Sequence, residues 1–145
     1  TTNDVPTVGD YDGDGVADFA VFRPSSGVWY VFYSRTNTYS GFAWGTTGDK
    51  PVAGDYDGDG KTDIAVFRPS NGVWYIRQSG TGTFTSFAWG VPTDVPVPAD
   101  YDGDGKTDIA VYRPSNGTWY MRYSTTGGLY GFVWGSSTDV PITQP

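Results

Sequence analysis

The chain has 145 residues, a formal net charge of −7 and 37% hydrophobic residues, which suits a single folded domain. All 16 acidic residues are aspartate, and cysteine and histidine are absent, which excludes disulfides, thiolate metal sites and histidine chemistry. The acidic balance argues against nucleic acid as a partner, and no apolar run reaches the ~20 residues of a membrane span, which argues against membrane insertion. The first residues do not resemble a signal peptide, and we expect a mature or trimmed piece of a longer product.

A 45-residue repeat organises the chain. The segment DYDGDGVAD at 10–18 returns as DYDGDGKTD at 55–63 and at 100–108, with no insertion or deletion between them. All six tryptophans and all the aspartates follow the same period, which must be interpreted before any local motif. We predict one repeat domain over 1–145, with units at about 4–48, 49–93 and 94–138 and an extra first strand at 139–145.

Four short antiparallel strands are predicted in each unit, and the third unit shows them in chain order. Segment 94–101 contains two prolines and predicts an edge strand, because proline cannot donate to a strand ladder. The β-branched segment 108–114 and the aromatic segment 117–124 follow, and the Asn-Gly pair between them indicates a hairpin because both residues tolerate positive φ. The fourth strand is predicted at 129–135, and no stretch has helical caps or a helical period.

Four consecutive strands in about 40–50 residues correspond to one propeller blade. The strand at 64–68 is apolar on both faces, as expected of a strand that lies between two neighbouring blades. The predicted fold is therefore all-β, with three four-stranded antiparallel blades of β-propeller type, and a β-trefoil is the alternative. Known propellers have about four to eight blades, so we expect oligomerisation or further chain to complete the ring.

The aspartate clusters predict calcium sites. Aspartates occupy positions 1, 3, 5 and 9 of each nine-residue cluster, and calcium takes about six to eight oxygen ligands in flexible geometry. A main-chain carbonyl at position 7 would complete the set, which explains why that position is valine in one unit and lysine in two. Four like charges on one loop repel each other unless a cation neutralises them, so a solvated turn is the weaker interpretation. The predicted ligands, for three calcium ions, are Asp10, Asp12, Asp14, Val16, Asp18, Asp55, Asp57, Asp59, Lys61, Asp63, Asp100, Asp102, Asp104, Lys106 and Asp108.

Two related metal sites fit less well. An EF-hand needs a bidentate glutamate at position 12 and flanking helices, whereas position 12 here is valine in every unit and β-branched runs follow. Magnesium retains its waters and rarely occupies a site made entirely of protein ligands.

The sequence DYDGDGKTDIAVFRP, followed by an aromatic hairpin, resembles the FG-GAP or VCBS repeats of bacterial surface proteins, which are relatives of the calcium-bearing integrin α-subunit propeller blades. The resemblance extends over all three units. It implies that the loop joins the innermost strand of a blade to the next strand, with calcium at one rim, and that the protein is extracellular, either secreted or at the cell surface. Propellers of this family usually have seven blades, and this chain encodes three.

The available side chains argue against an enzyme, because without histidine, cysteine or glutamate any acid–base chemistry would rest on aspartate, tyrosine or lysine. The aspartates outside the clusters, Asp4, Asp49, Asp94 and Asp139, could be strand-end caps. We predict a non-enzymatic calcium-binding module for cell adhesion or recognition, with a glycan (lectin-like, carbohydrate binding) or a surface protein as partner. The alternative is a structural subunit of an oligomeric or filamentous extracellular assembly, which self-associates through its unclosed blade edges.

Carbohydrate binding would use flat aromatic faces together with a few polar groups. Trp44, Trp89 and Trp134 favour the core between blades, whereas the other three tryptophans are open to either role. The arginine that recurs before proline could stack on an aromatic ring, clamp a carboxylate or contact a ligand. The candidate ligand contacts are Trp29, Tyr30, Trp74, Tyr75, Trp119, Tyr120, Arg23, Arg68 and Arg113.

Overall fold

The computed structural model describes residues 2–142, and these form three separate four-stranded antiparallel sheets. Each sheet follows chain order and is called a blade below. No helix in this range is long and apolar enough to cross a membrane. Blade 1 contains β1 (Val5–Pro6), β2 (Phe19–Arg23), β3 (Val28–Tyr33) and β4 (Thr38–Ala43); blade 2 contains β5 (Lys50–Pro51), β6 (Ile64–Arg68), β7 (Val73–Arg77) and β8 (Phe84–Ala88); blade 3 contains β9 (Val95–Pro96), β10 (Ile109–Arg113), β11 (Thr118–Arg122) and β12 (Leu129–Val133).

The predicted all-β fold with three blades is confirmed, and the blades do not close into a ring. The trefoil alternative is not supported, because each unit pairs its strands within its own sheet.

The first strand of each blade is shorter than predicted. Over the predicted segment 94–101 only Val95–Pro96 is a strand, and one isolated bridge follows between Ala99 and Asp108. The N–H of Val97 still donates to Ala110, but the prolines on either side of it cannot donate. The pairing therefore breaks up before the aspartate loop begins.

The predicted hairpin between the second and third strands is present, but the asparagine of its Asn-Gly pair does not adopt positive φ. In blade 2, Arg68 pairs with Val73, so four residues form the connection. Only Gly72 among them has positive φ, at 68°, whereas Asn71 accepts a hydrogen bond from the N–H of Val73 through its side-chain oxygen. The physical reason is that Pro69 fixes its own φ directly after the strand, and the asparagine stabilises the turn through its side chain instead.

The core lies between blades, and the central strand β6 shows this most clearly. Ile64 and Val66 are buried in a cluster with residues of blade 1, whereas Ala65 and Phe67 are buried in a cluster with residues of blade 3. Both faces of β6 are thus covered by neighbouring blades, which confirms the prediction made from its apolar pattern.

The predicted extra strand at 139–145 lies partly outside the described residues, which end at 142. Residues 139–142 are not in a strand. Their counterparts 50–51 and 95–96 are strands because each pairs with the second strand of its own blade. Within the described residues, 139–142 have no second strand to pair with.

Candidate metal centres

Each aspartate cluster is a loop between the first and second strands of a blade, curled around its own first carboxylate. In blade 2, Asp55 accepts hydrogen bonds from the N–H groups of Gly58 and Asp59 through Oδ1, at 2.8 and 3.2 Å, and from Gly60 through Oδ2, at 2.9 Å. Gly58 and Gly60 have φ of 78° and 87°, a conformation that favours glycine. The spacing of aspartate and glycine therefore specifies the curl of the loop.

The last aspartate of each loop fastens it to the rest of the blade. Asp63 is fully buried, and it accepts the N–H of Tyr56 at 2.9 Å and the N–H of Ser79 at 2.8 Å. Burial raises the pKa of the Asp63 carboxyl to about 6. Ser79 also donates its hydroxyl to the carbonyl of Thr62, so it bonds the loop twice.

The serines in this contact were missed by the sequence analysis. Ser34 in blade 1 and Ser124 in blade 3 make the same pair of contacts as Ser79. These serines recur at the 45-residue period, and this recurrence could have identified them in the sequence.

In every blade the aspartates at positions 1, 3 and 9 converge. Their carboxylate oxygens lie within 4.8 Å of one another in each group. Desolvation, together with the charges of neighbouring aspartates, raises the pKa of the position 3 carboxyls. Hard oxygen donors carrying several negative charges at close range fit a calcium ion. The three groups, called the aspartate triads below, are Asp10, Asp12 and Asp18; Asp55, Asp57 and Asp63; and Asp100, Asp102 and Asp108.

The position 5 aspartates lie outside the triads. Asp14, Asp59 and Asp104 each accept the N–H of the residue at position 7, at 2.8 to 2.9 Å. In blade 1 the second carboxylate oxygen lies 2.9 Å from Nε of Arg35, and in blade 3 it accepts a hydrogen bond from Thr125, which lowers the pKa of Asp104. The structure therefore brings together three of the four predicted side-chain ligands of each loop. The carbonyls predicted as ligands at Val16, Lys61 and Lys106 remain a prediction.

The three loops lie side by side along one concave surface. The N–H of Thr62 donates to the carbonyl of Asp10 at 2.6 Å, and Thr107 donates to Asp55 at 2.7 Å. The first aspartates of all three loops line the same concavity. Neighbouring loops are thus hydrogen-bonded across the blade junctions.

This arrangement agrees with the comparison to known families. The FG-GAP-like repeat matches residues 10–66 and 55–111, and the FG-GAP repeat matches residues 93–131. The matches overlap and extend over residues 10–131, which is more than half of the chain. The chain belongs to the FG-GAP repeat family. No curated protein and no solved structure matches it.

FG-GAP repeats are a non-catalytic repeat family and usually occur in extracellular proteins. In this FG-GAP chain the three aspartate triads stand where a metal ion could bind.

The recurring arginine of each FG-GAP unit has a structural role. Nε and Nη2 of Arg68 donate to the two carboxylate oxygens of Asp49, at 2.8 and 2.9 Å, and the guanidinium lies 4.4 Å from the ring centroid of Tyr75. The hydrogen bonds to Asp49 raise the pKa of Arg68. The arginine therefore clamps a carboxylate and stacks on an aromatic ring at the same time. The carboxylate belongs to its own unit and not to a neighbouring one. The same contacts join Asp4, Arg23 and Tyr30, and Asp94, Arg113 and Tyr120.

The first tryptophan of each unit does not provide the predicted ligand surface. Trp29 and Trp74 are fully buried, and each donates its indole N–H to a backbone carbonyl at 2.9 Å. Neither can present a ring face to a ligand, so we remove both from the candidate contacts. Trp119 is half-buried, because blade 3 has no neighbour on that side within the described residues.

The second tryptophan joins successive blades. Trp44 and Trp89 are half-buried and donate their indole N–H groups to the carbonyls of Tyr75 and Tyr120 in the next blade, both at 3.1 Å. Their predicted place between blades is confirmed. Trp134 is 70% exposed, which contradicts the same prediction for the third unit.

Proposed function

We propose that this FG-GAP chain is a non-enzymatic, calcium-binding repeat module of an extracellular protein that serves adhesion or recognition. The observation that carries the proposal is the aspartate triad, which occurs at the same loop positions in all three blades. A solvated turn has no need to bring three carboxylates within 4.8 Å of one another, whereas a divalent cation does.

The charge of the chain supports calcium. Three calcium ions would bring +6 against the formal −7, which leaves −1. Twelve of the 16 acidic residues lie in the three loops, so the ions would bind where the negative charge is concentrated. Calcium sites in extracellular modules work at dissociation constants of about 10⁻⁴ to 10⁻³ M, so tight sites are unnecessary there.

Calcium binding would add stability because the triad connects separate parts of the blade. Asp55 holds the curl of the loop, and Asp63 connects the loop to the turn between β7 and β8. A cation shared by these carboxylates would fix the loop against that turn. We therefore propose that calcium, when bound, holds the folded blades together.

Calcium titration by calorimetry and thermal unfolding with and without a chelator test this proposal. We expect three ions per chain and a melting temperature that falls on chelation, because an ion that binds only the folded chain stabilises it. The variant Asp57→Asn removes one triad charge and should leave two ions per chain. Asp139→Asn is the control, because Asp139 lies outside the triads, and it should still bind three. A melting temperature that does not change with calcium would contradict the proposal.

The non-enzymatic role rests on the side chains and on the family. The chain has no histidine, cysteine or glutamate, and each triad repeats the same environment instead of placing two carboxyls in unlike ones, as acid–base pairs require.

The partner in recognition is proposed at the level of a glycan or a surface protein. Trp29 and Trp74, which were predicted to contact a sugar, are buried in the core. The recurring arginines cover one face of each adjacent tyrosine ring. The proposal therefore does not depend on those side chains.

A further inference from the structure

Two broad apolar sheet faces are exposed at opposite ends of the row of blades. The first, on blade 1, is called the leading face and contains Val16, Phe19, Val21, Tyr30 and Phe32. The second, on blade 3, is called the trailing face and contains Trp119, Met121, Tyr130, Phe132 and Trp134. Phe19 is 68% exposed and Trp134 is 70% exposed, although soluble proteins rarely leave contiguous apolar surface of this kind uncovered.

Each exposed face has a covered counterpart inside the molecule. Phe19 corresponds to Ile64 and Ile109, which are 1% and 2% exposed because the preceding blade packs on them. Trp134 corresponds to Trp44 and Trp89, which pack against the following blade. The leading and trailing faces are therefore the two halves of a junction that the chain already forms twice.

The leading face is more apolar than its internal counterparts. Phe32 stands where blades 2 and 3 have Arg77 and Arg122, and these arginines lie over Phe42 and Phe87 of the preceding blade at 5.1 and 4.5 Å. Similarly, Val16 stands at the position of Lys61 and Lys106. Terminal units that face water in repeat proteins normally carry a polar outer surface. Here the first unit has apolar Phe32 and Val16 where the other units have arginine and lysine, as expected of a face that is covered by a partner.

We propose that the leading face binds the trailing face of a second copy of this chain, in the register of the internal junctions. The hydrogen bonds have defined counterparts. Trp134 would donate its indole N–H to the carbonyl of Tyr30, as Trp44 does to Tyr75, and the N–H of Ala17 would donate to the carbonyl of Asp100, as Thr62 does to Asp10. Phe32 would meet Phe132 in place of the arginine–phenylalanine contact.

Two copies satisfy the geometry of a closed ring. Propellers close with about four to eight blades, and chains of three blades reach that range only as a pair, which gives six. A ring of two copies contains the proposed junction twice and leaves neither face exposed.

Residues 139–142 must move in this assembly. They lie beside Tyr112, Trp119 and Trp134, in the place that residues 49–52 take beside blade 1. The second copy would bring its residues 4–7 to this place. Those residues are already held, because Val5 pairs with Phe22 and Asp4 with Arg23, whereas 139–142 form no strand. The displaced segment is therefore 139–142.

Mass measurement of the 145-residue chain in calcium buffer, by sedimentation or light scattering, tests the proposal. We expect a species of twice the 15.7 kDa chain mass at micromolar concentration. Trp134→Asp and Phe19→Asp each place a charge on one face, and each should raise the dissociation constant of the pair by at least about 10-fold. The control is Val133→Asp, because Val133 is as exposed as Trp134 but points to the opposite side of β12, and it should leave the pair intact.

Mixing distinguishes head-to-tail contact from other arrangements. Trp134→Asp keeps a normal leading face and Phe19→Asp keeps a normal trailing face, so a mixture should form a heterodimer through one intact junction. A monomeric parent chain at tens of micromolar overturns the proposal. A pair that survives Phe19→Asp but not Trp134→Asp also overturns it, because that pair would join two trailing faces. Circular dichroism of each variant confirms that the blades are folded.

Discussion

At the scale of single residues, the recurring Asp–Arg–Tyr contact shows how a polar group is kept inside a small β blade. The side chain of Asp49 is fully buried, and it accepts hydrogen bonds both from Arg68 and from the N–H of Thr46, which belongs to the turn that leaves blade 1. The contact therefore links the end of one blade to the start of the next. The sequence indicated that this arginine could bind either a carboxylate or an aromatic ring. In the structure the guanidinium of Arg68 contacts both at once.

Removing this arginine tests the contact. Arg68→Ala leaves the buried carboxylate of Asp49 without its cation, and we expect the free energy of unfolding to fall by about 2 kcal/mol, less than for a fully buried pair because Arg68 is partly exposed and Thr46 still donates. The control is Arg35→Ala, since Arg35 is 62% exposed in its pair with Asp14 and should cost less than about 1 kcal/mol. Urea unfolding in excess calcium measures both, and equal losses would argue against the structural role of Arg68.

At the scale of elements, the connection between the second and third strands determines how close the fourth strand can come. The turn glycines Gly27, Gly72 and Gly117 have φ of 64° to 68°, and each faces the backbone carbonyl that follows the fourth strand. The tryptophan directly after the fourth strand, which precedes the residue with that carbonyl, donates its N–H to the carbonyl of the turn glycine at 2.8 to 2.9 Å in all three blades. Glycine is needed there for its backbone conformation and because no Cβ fits.

A pair of glycine substitutions separates these two reasons. Gly72→Ala combines a left-handed backbone with overlap of the new methyl group and the carbonyl oxygen of Gly90, whereas Gly48→Ala at φ 92° meets nothing within 4 Å. We expect Gly48→Ala to cost about 1 kcal/mol of unfolding free energy and Gly72→Ala at least about 2 kcal/mol more. Thermal or urea unfolding provides the measurement, and similar losses at both sites would show that the backbone conformation alone matters.

At the scale of the whole molecule, side-chain burial is greatest where blades meet. Blade 2 has a neighbour on each side, so β6 is buried on both faces, whereas β8 at the outer edge of the same blade is largely exposed. Within blade 2 the second strand is the more deeply buried of the two, and the fourth strand forms the outer edge of the sheet.

Amide hydrogen exchange should reproduce this gradient. We expect the β6 amides to exchange at least about 100-fold more slowly than the β8 amides, because opening β6 requires separation of two blade junctions. The comparison lies within one blade, so differences in chain position or solvent do not enter. Uniform protection across blade 2 would show instead that each blade opens as a unit.

The sequence by itself determined the repeat, the strand content and the composition of the loops. These follow from spacing, because glycine at positions 4 and 6 sets the curl of the loop and short apolar runs bounded by turn residues are typical of strands. The sequence alone did not show that the carboxylates at positions 1, 3 and 9 converge while the carboxylate at position 5 lies outside the group. This arrangement depends on the turn between the third and fourth strands, which reaches the loop from about 16 residues further along the chain.

Only the tertiary structure decided which aromatic residues are exposed. Trp89 and Trp134 occupy the same position of the repeat, yet Trp89 is half-buried against the next blade and Trp134 is 70% exposed. Burial in a row of blades depends on whether a neighbour packs on the face, and a repeated sequence looks the same at the end of the row as in the middle. The physical difference between a core residue and an interaction surface is therefore the presence of the adjacent blade.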